Sequence, residues 1–356
     1  MSKILIVPTY RHLSDPLIER VISFFGNESQ YFLLTFDERG ASYNSESISH
    51  EKFVTRAHIT SKNSFLGSIK AQKMMLKFLD EHQPDHIVTF SDLTLFSRAI
   101  QWTHFEAKTI IIQPSATGRI PDKFIYQLKR CINRLINFVF CAPIRQTHLN
   151  WGTSLKHATF FVWGNAELAL FPKSVNAIGT GLLFTPYVNE KMVQEGLSHQ
   201  KTNKILIIAP DLNFFHEASG IDEFFKEIDL LCATLEQKIY IKFHPLNRCS
   251  IPQIDNLHIL DAIEESELKN YDVIVSGYST LAITARCVNR NIIIYDHQSY
   301  PIAQIRQPYY EFAHSAQDIR TAIEAVYNKL EERSQQEDSY VDDVFYEDTA
   351  KLRVFL

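Results

Sequence analysis

Short apolar, β-rich runs alternate with helical patterns along almost the whole chain, and that alternation restricts the fold to a parallel α/β arrangement. In the first half the strand-like runs lie at residues 4–7, 31–35, 86–90, 109–112 and 159–162. Between them, residues 64–79 and 123–139 carry helical periodicity. Parallel neighbours need a crossover of a dozen or more residues, and a helix supplies it. The first run leads through Pro8-Thr9-Tyr10-Arg11-His12 to Asp15, a candidate cap for a helix that opens on Pro16 and carries Leu17, Ile18, Val21, Ile22 and Phe25.

The alternation then starts again. Runs at 204–208, 238–241, 257–260, 272–275 and 292–295 are separated by helical patterns at 221–235, near 266–270, 281–286 and about 316–332. The stretch from Gly179 to Asn203, polar in its second half and ending in Gly196-Leu197-Ser198-His199-Gln200-Lys201-Thr202-Asn203, marks the boundary. The expected organisation is a first Rossmann-like domain over 1–199, a second over 200–332 and a charged C-terminal tail over 333–356, of which 333–348 reads as solvated. Two such domains facing across a cleft form the GT-B architecture, with donor on one side and acceptor on the other.

At 356 residues and 45% hydrophobic content, the chain can fill two cores. A net charge of −5 provides no overall attraction to nucleic acid, which is not expected as a partner. Cys131, Cys141, Cys232, Cys249 and Cys287 are an odd set without a close metal-type pair, as reduced thiols of a cytoplasmic protein would be. Neither a zinc site nor a disulfide framework is expected. Met1-Ser2-Lys3 followed directly by Ile4-Leu5-Ile6-Val7 reads as a first strand rather than a secretory signal, and no stretch reaches membrane-spanning length.

Two loops in the second half carry the chemistry. Lys242-Phe243-His244-Pro245 follows one strand and Ser276-Gly277-Tyr278-Ser279-Thr280 follows another. In open parallel sheets, ligands bind beyond the carboxyl ends of the strands. Ser279 is placed to cap the next helix, whose first N–H groups face outward, and His244 adds a second donor for an anion such as a phosphate. A His-Pro pair alone is commonly a loop and a serine alone a cap; their pairing on two strand ends points to a nucleotide phosphate. Fixed donors there would stabilise the charge on a departing phosphate without a metal.

A base for an acceptor hydroxyl would come from the first domain, and His12, Asp15 and Asp92 stand at predicted strand ends. Each also has an ordinary role as cap or surface residue, and a route without a protein base remains open. Gln113-Pro114-Ser115-Ala116-Thr117-Gly118-Arg119 reads either as an acceptor-side loop or as a turn. In the next helical segment Lys123, Lys129, Arg130 and Arg134 lie among Phe124, Ile125, Leu128, Ile132, Leu135 and Phe138. This suits peripheral contact with an anionic inner membrane face or a glycan, but the expected arrangement is a helix that buries its apolar side in its domain and solvates its charges. Tyr300-Pro301 and Pro308-Tyr309-Tyr310-Glu311-Phe312 offer aromatics for stacking on a base or sugar, or for core packing.

The ordered set Lys242-Phe243-His244-Pro245, Glu264-Glu265 before Leu268, and Ser276-Gly277-Tyr278-Ser279-Thr280 resembles the bacterial sialyltransferase and polysialyltransferase group of GT-B enzymes. The resemblance spans residues 238–285 and the overall architecture. It implies that His244, Ser279 and Thr280 hold the donor phosphate, that Lys242 lies by the cytosine, and that Glu265 or Glu264 holds the ribose. Pro245 and Gly277, within the same two motifs, are counted with them as nucleotide- and phosphate-binding positions. It further implies a CMP-activated nonulosonic acid as donor and co-substrate, no separate cofactor or metal, and a glycan or glycolipid acceptor of a capsule or cell surface. CDP-glycerol polymer transferases share a similar His-Pro and Tyr-Ser-Ser pattern. Nucleotide-sugar 2-epimerases share the His-Pro loop, but the Gly and acidic residue that follow their Ser-Gly pair are Tyr278 and Ser279 here. A non-catalytic nucleotide-binding protein of a polysaccharide complex is the alternative from another class.

Overall fold

The computed structural model describes residues 1–8, 11–36, 52–59, 65–91, 94–101, 107–113, 124–140, 157–169, 171, 175–184, 202–215, 218–244, 247, 249–277, 279–289, 291–298, 310–329 and 347–355. The chain divides into two compact units. One comprises Met1–Ser115, Asp122–Pro186 and Asp343–Leu356; the other comprises Ala116–Pro121 and Tyr187–Asp342.

The first unit holds a seven-stranded sheet: β1 (Lys3–Val7), β2 (Gln30–Phe36), β3 (Phe53–Ile59), β4 (His86–Thr89), β5 (Lys108–Ile112), β6 (Thr159–Val162) and β7 (Asn176–Gly179). Their order is β3-β2-β1-β4-β5-β6-β7, and every pairing is parallel. Side chains alternate across each strand, so β1 feeds both cores. Ile4 and Ile6 pack with Leu17, Ile18, Val21 and Ile22 of the helix Arg11–Phe25. Leu5 and Val7 pack on the other face with Met75, Phe78 and Leu79 of the helix Phe65–His82 and with Phe96. Burial on both faces explains why these strands read as unbroken apolar runs.

The second unit repeats the plan with β8 (Lys204–Ile208), β9 (Lys238–Lys242), β10 (Leu257–Leu260), β11 (Val273–Ser276), β12 (Ile292–Tyr295) and β13 (Glu311–Ala313). The order is β10-β9-β8-β11-β12-β13, again parallel throughout. Ile205, Ile207, Ile239, Ile241, Val273 and Val275 meet Phe224, Ile228 and Leu231 of the helix Ala218–Thr234 and Ile319, Ile323 and Val326 of the helix Ala316–Lys329.

Three differences from the sequence reading have physical causes. The strands that periodicity missed are β3, β7 and β13, and each is a sheet edge. An edge strand is half solvated: β3 carries Thr55, Arg56 and His58, while β7 is only Asn-Ala-Ile-Gly. The first helix starts at Arg11, so Asp15 lies inside it rather than at its cap. The expected tail also changes: its described part, 347–355, returns to the first unit. Glu347 bridges Thr180, the Asp348 N–H donates to the Gly179 carbonyl at 2.9 Å, Leu352 is buried, and the Phe355 ring meets Phe161 edge-on. Charge dominates that segment's composition, but two apolar side chains decide where its end packs.

A buried carboxylate ties the second sheet together at the amino ends of its central strands. Asp272, immediately before β11, accepts from the backbone N–H groups of Thr202 and Asn203, each at 2.7 Å, and from the Thr202 hydroxyl at 3.0 Å and the Tyr327 hydroxyl at 2.8 Å. The Asp272 carbonyl accepts from Asn291 Nδ2 at 2.9 Å, ahead of β12. Removing the carboxylate deprives several donors of their acceptor at once. Asp272→Ala is therefore expected to destabilise the second unit by about 3 kcal/mol or more in urea unfolding, against about 1 kcal/mol for Tyr327→Phe.

Candidate functional site

The second sheet reverses its order of growth at β8. From there β9 and β10 extend one way and β11, β12 and β13 the other, so the carboxyl ends of β8 and β11 flank the switch point. Both loops singled out in the sequence emerge here. His244 lies two residues beyond β9, and Ser279 three residues beyond β11, with β8 hydrogen-bonded between the two strands. The Ala209 N–H donates to the Lys242 carbonyl at 3.0 Å, which continues the β8–β9 register to the edge of the site.

His244 is half-exposed, with Nδ1 at 3.7 Å from Asp211 Oδ2. That separation is beyond hydrogen-bond length and within ion-pair range when the imidazole is protonated. Asp211 is itself held firmly. It caps the 3₁₀ turn Leu212–Phe214, accepting from the Asn213 N–H at 3.0 Å and from Asn213 Nδ2 at 2.6 Å. Sequence reasoning did not select Asp211, although its position after strand β8 and Pro210 was the available signal. Its own turn fixes the carboxylate beside the His244 imidazole.

Ser279 has the extended backbone of a helix cap, and its Oγ accepts from the Ala282 N–H at 3.2 Å at the start of the helix Thr280–Arg286. The cap expected from the sequence is thus present. Ser276, buried at the end of β11, donates its hydroxyl to the Gly277 carbonyl at 2.8 Å and lies 3.4 Å from Ser279 Oγ. With the Ser276 proton so committed, the Ser279 proton is the donor of that long contact, and a closer acceptor can take it over. The helix is only seven residues long, so the serine hydroxyls and imidazole weigh more here than a helix dipole. A Cβ built on Gly277 would meet only Pro210 Cβ at 3.9 Å, which is ordinary contact.

The remaining sequence candidates are distributed differently. Lys242 ends β9 and folds its Nζ onto the Phe243 carbonyl at 2.7 Å. Glu264 and Glu265 lie beyond the carboxyl end of edge strand β10, where Glu265 opens the 3₁₀ helix Glu265–Asn270 and the Glu264 N–H donates to Glu267 Oε2 at 2.8 Å. Glu267 thereby serves the turn. His12 and Asp15 are backbone positions of the helix Arg11–Phe25, three apart and hence on one side of it. Their side chains, those of Glu265 and Thr280, and the residues Asp92, Pro245 and Tyr278 lie outside the described residues.

At the next strand end, β12, the Tyr295 hydroxyl donates to Glu227 of the helix Ala218–Thr234. Buried His297 stacks on Phe215 at 5.2 Å and meets Tyr295 edge-on. Burial lowers the His297 pKa, opposed by Glu227 and Glu223. Among the described residues no group of three or more His, Cys, Asp and Glu side chains could hold a metal ion. Cys131, Cys232, Cys249 and Cys287 are free thiols, and burial with a nearby Asp229 pushes Cys232 up to about 11.

The full-length comparison with solved structures establishes the architecture. The fold is GT-B. A UDP-N-acetylglucosamine 2-epimerase from Rickettsia bellii is similar with a TM-score of 0.59 and 14% identity, over 100% of this chain and 96% of that one. The UDP-GlcNAc 2-epimerase from Methanocaldococcus jannaschii gives 0.56 and 10%, with all of both chains covered. The glycosyltransferase SnogD from Streptomyces nogalater gives 0.53 and 11%, also over all of both chains. At these identities the likeness is one of fold. No protein-family model matches the sequence, and no curated sequence matches it either.

Burial, then the Glu227 hydrogen bond and charge, raise the Tyr295 phenol well above its ordinary range. A raised phenol pKa stabilises the fold fully below pH 10, and that contribution is lost as pH climbs toward the folded-state value. Urea unfolding of the wild type is expected to lose about 1.4 kcal/mol per pH unit from this residue above pH 10, a slope that Tyr295→Phe removes.

Proposed function

We propose that this protein is a GT-B glycosyltransferase that moves a nonulosonic acid, of sialic or pseudaminic type, from its CMP-activated form to a surface-glycan or glycolipid acceptor. The observation that carries this reading is the convergence of His244 and Ser279 on the strand ends that flank β8, at the switch point of the second sheet. The motif resemblance assigns the donor phosphate to the same residues.

In the proposed reaction the bond between the anomeric carbon and the phosphate oxygen breaks, and the phosphate keeps the electron pair. His244 and the Ser279 hydroxyl donate to the phosphate oxygens as that charge develops, the long Ser276 contact giving way to a shorter one. Asp211, 3.7 Å from the His244 Nδ1, holds the imidazole in place. Lys242 and Glu265 or Glu264 address the cytosine and ribose. The acceptor hydroxyl forms the new glycosidic bond and loses its proton, for which His12, Asp15 and Asp92 are the candidate bases if a protein base takes part.

A UDP-sugar 2-epimerase is the second reading, favoured by the epimerases among the similar structures. It would interconvert a UDP-sugar without consuming an acceptor. Tyr278 and Ser279 in place of the Gly and acidic residue of that loop favour transfer instead.

Ser279 performs two tasks that one substitution separates. Aspartate caps a helix as well as serine does, yet it sets a negative charge against a phosphate. Ser279→Asp is therefore expected to melt within a few degrees of wild type while its CMP affinity falls by at least about a hundredfold. His244→Ala is expected to lower turnover of CMP-nonulosonic acid by about two to three orders of magnitude. Wild-type CMP affinity in Ser279→Asp would overturn the site assignment, and epimerisation of a UDP-sugar without transfer would favour the second reading.

A further inference from the structure

The helix Phe124–Val139 is mounted with its apolar side outward. Phe124, Leu128, Cys131, Ile132, Leu135, Phe138 and Val139 recur at spacings of three and four and so form one stripe. A helix of a globular domain normally turns such a stripe into its core. Here Phe124 is 78% exposed, Phe138 77%, Val139 63% and Leu135 62%, with Leu128 and Ile132 each at 50%. The side that is covered is the polar one: Asn137 is 5% exposed, and Arg130 and Asn133 are half-buried. The expectation that this helix buries its apolar side in its own domain is thereby overturned. Contiguous exposed apolar surface of this kind marks a docking site.

Charge identifies the occupant. The helix contains Lys129, Arg130 and Arg134 and no acidic residue, in a chain whose net charge is −5. On a helical projection Lys129 borders one edge of the stripe and Arg134 the other, both exposed. This is the layout of a helix lying in the plane of an anionic bilayer surface, with apolar side chains among the upper acyl chains and cationic groups among the headgroups. At 16 residues the helix is about 24 Å long, and no helix of the described residues is long and apolar enough to cross a membrane. A free glycan offers cation partners but no apolar phase for Phe124, Leu135 and Phe138. A second copy in a two-fold dimer would set the same cationic borders against one another.

We propose that the apolar face of the helix Phe124–Val139 docks the protein on the surface of an anionic lipid bilayer. This goes beyond the nucleotide site and is independent of it, since it is read by binding alone. Co-sedimentation with phosphatidylcholine vesicles containing about one third phosphatidylglycerol tests it, alongside vesicles of phosphatidylcholine alone. Binding to the anionic vesicles is expected to weaken as salt is raised and to fall by at least about tenfold in the double variant Leu135→Glu, Phe138→Glu. Lys129→Glu with Arg134→Glu should weaken it while leaving the stripe intact. As a measurement on protein with an unaltered polar face, Leu135→Trp should show a blue-shifted emission on adding anionic vesicles. Equal binding by wild type and the double variant would overturn the proposal, as would an unshifted Leu135→Trp spectrum. A concentration-dependent dimer abolished by Leu135→Glu, without vesicle binding, would overturn it in favour of self-association.

Discussion

Parallel pairing of both sheets is the constraint on which the rest depends. It requires each strand to run the same way as its neighbours, so every strand in a sheet ends on the same edge. The crossovers then place helices on both faces, and strands buried from both sides must be apolar along their whole length. Residues free to carry polar chemistry are thereby concentrated just past the strand ends. His244, Asp211 and Ser279 come from three different loops, yet β9, β8 and β11 are adjacent and end together. No loop among them needs to be long to reach its neighbour.

The same constraint explains what the sequence disclosed. Interior strands such as β1, β5, β8 and β12 are buried on both faces, and their apolar runs were legible residue by residue. Edge strands β3, β7 and β13 were not, because one flank faces water and Arg56, His58 or Asn176 is tolerated there. The Ser279 cap was readable because capping is a local rule that needs only the serine and the strand before it. Asp211 stood at a strand end like other candidates, but its relation to His244 is made by the β8–β9 pairing, across 33 positions of sequence. Asp272 likewise acquires its role from Thr202, Asn203 and Tyr327, which only the folded sheet brings to it.

Composition misleads where a few side chains outweigh many. The charged stretch toward the C-terminus reads as solvated, yet Leu352 and Phe355 return its end to the first unit's core. The helix Phe124–Val139 gave its amphipathicity correctly, but periodicity carries no information on which face turns inward. The structure settles that question against the usual arrangement and leaves the first unit with an apolar, cationic outer surface, while the second unit carries the polar site.

In the proposed function the switch point of the second sheet holds a cytidine nucleotide by its phosphate. The most direct test is the melting temperature measured in parallel with CMP, CDP, UDP and GDP, since a ligand that binds only the folded state raises it in proportion to the logarithm of its concentration over Kd. Selective stabilisation by CMP is the predicted result. Stabilisation by UDP with none by CMP would contradict it.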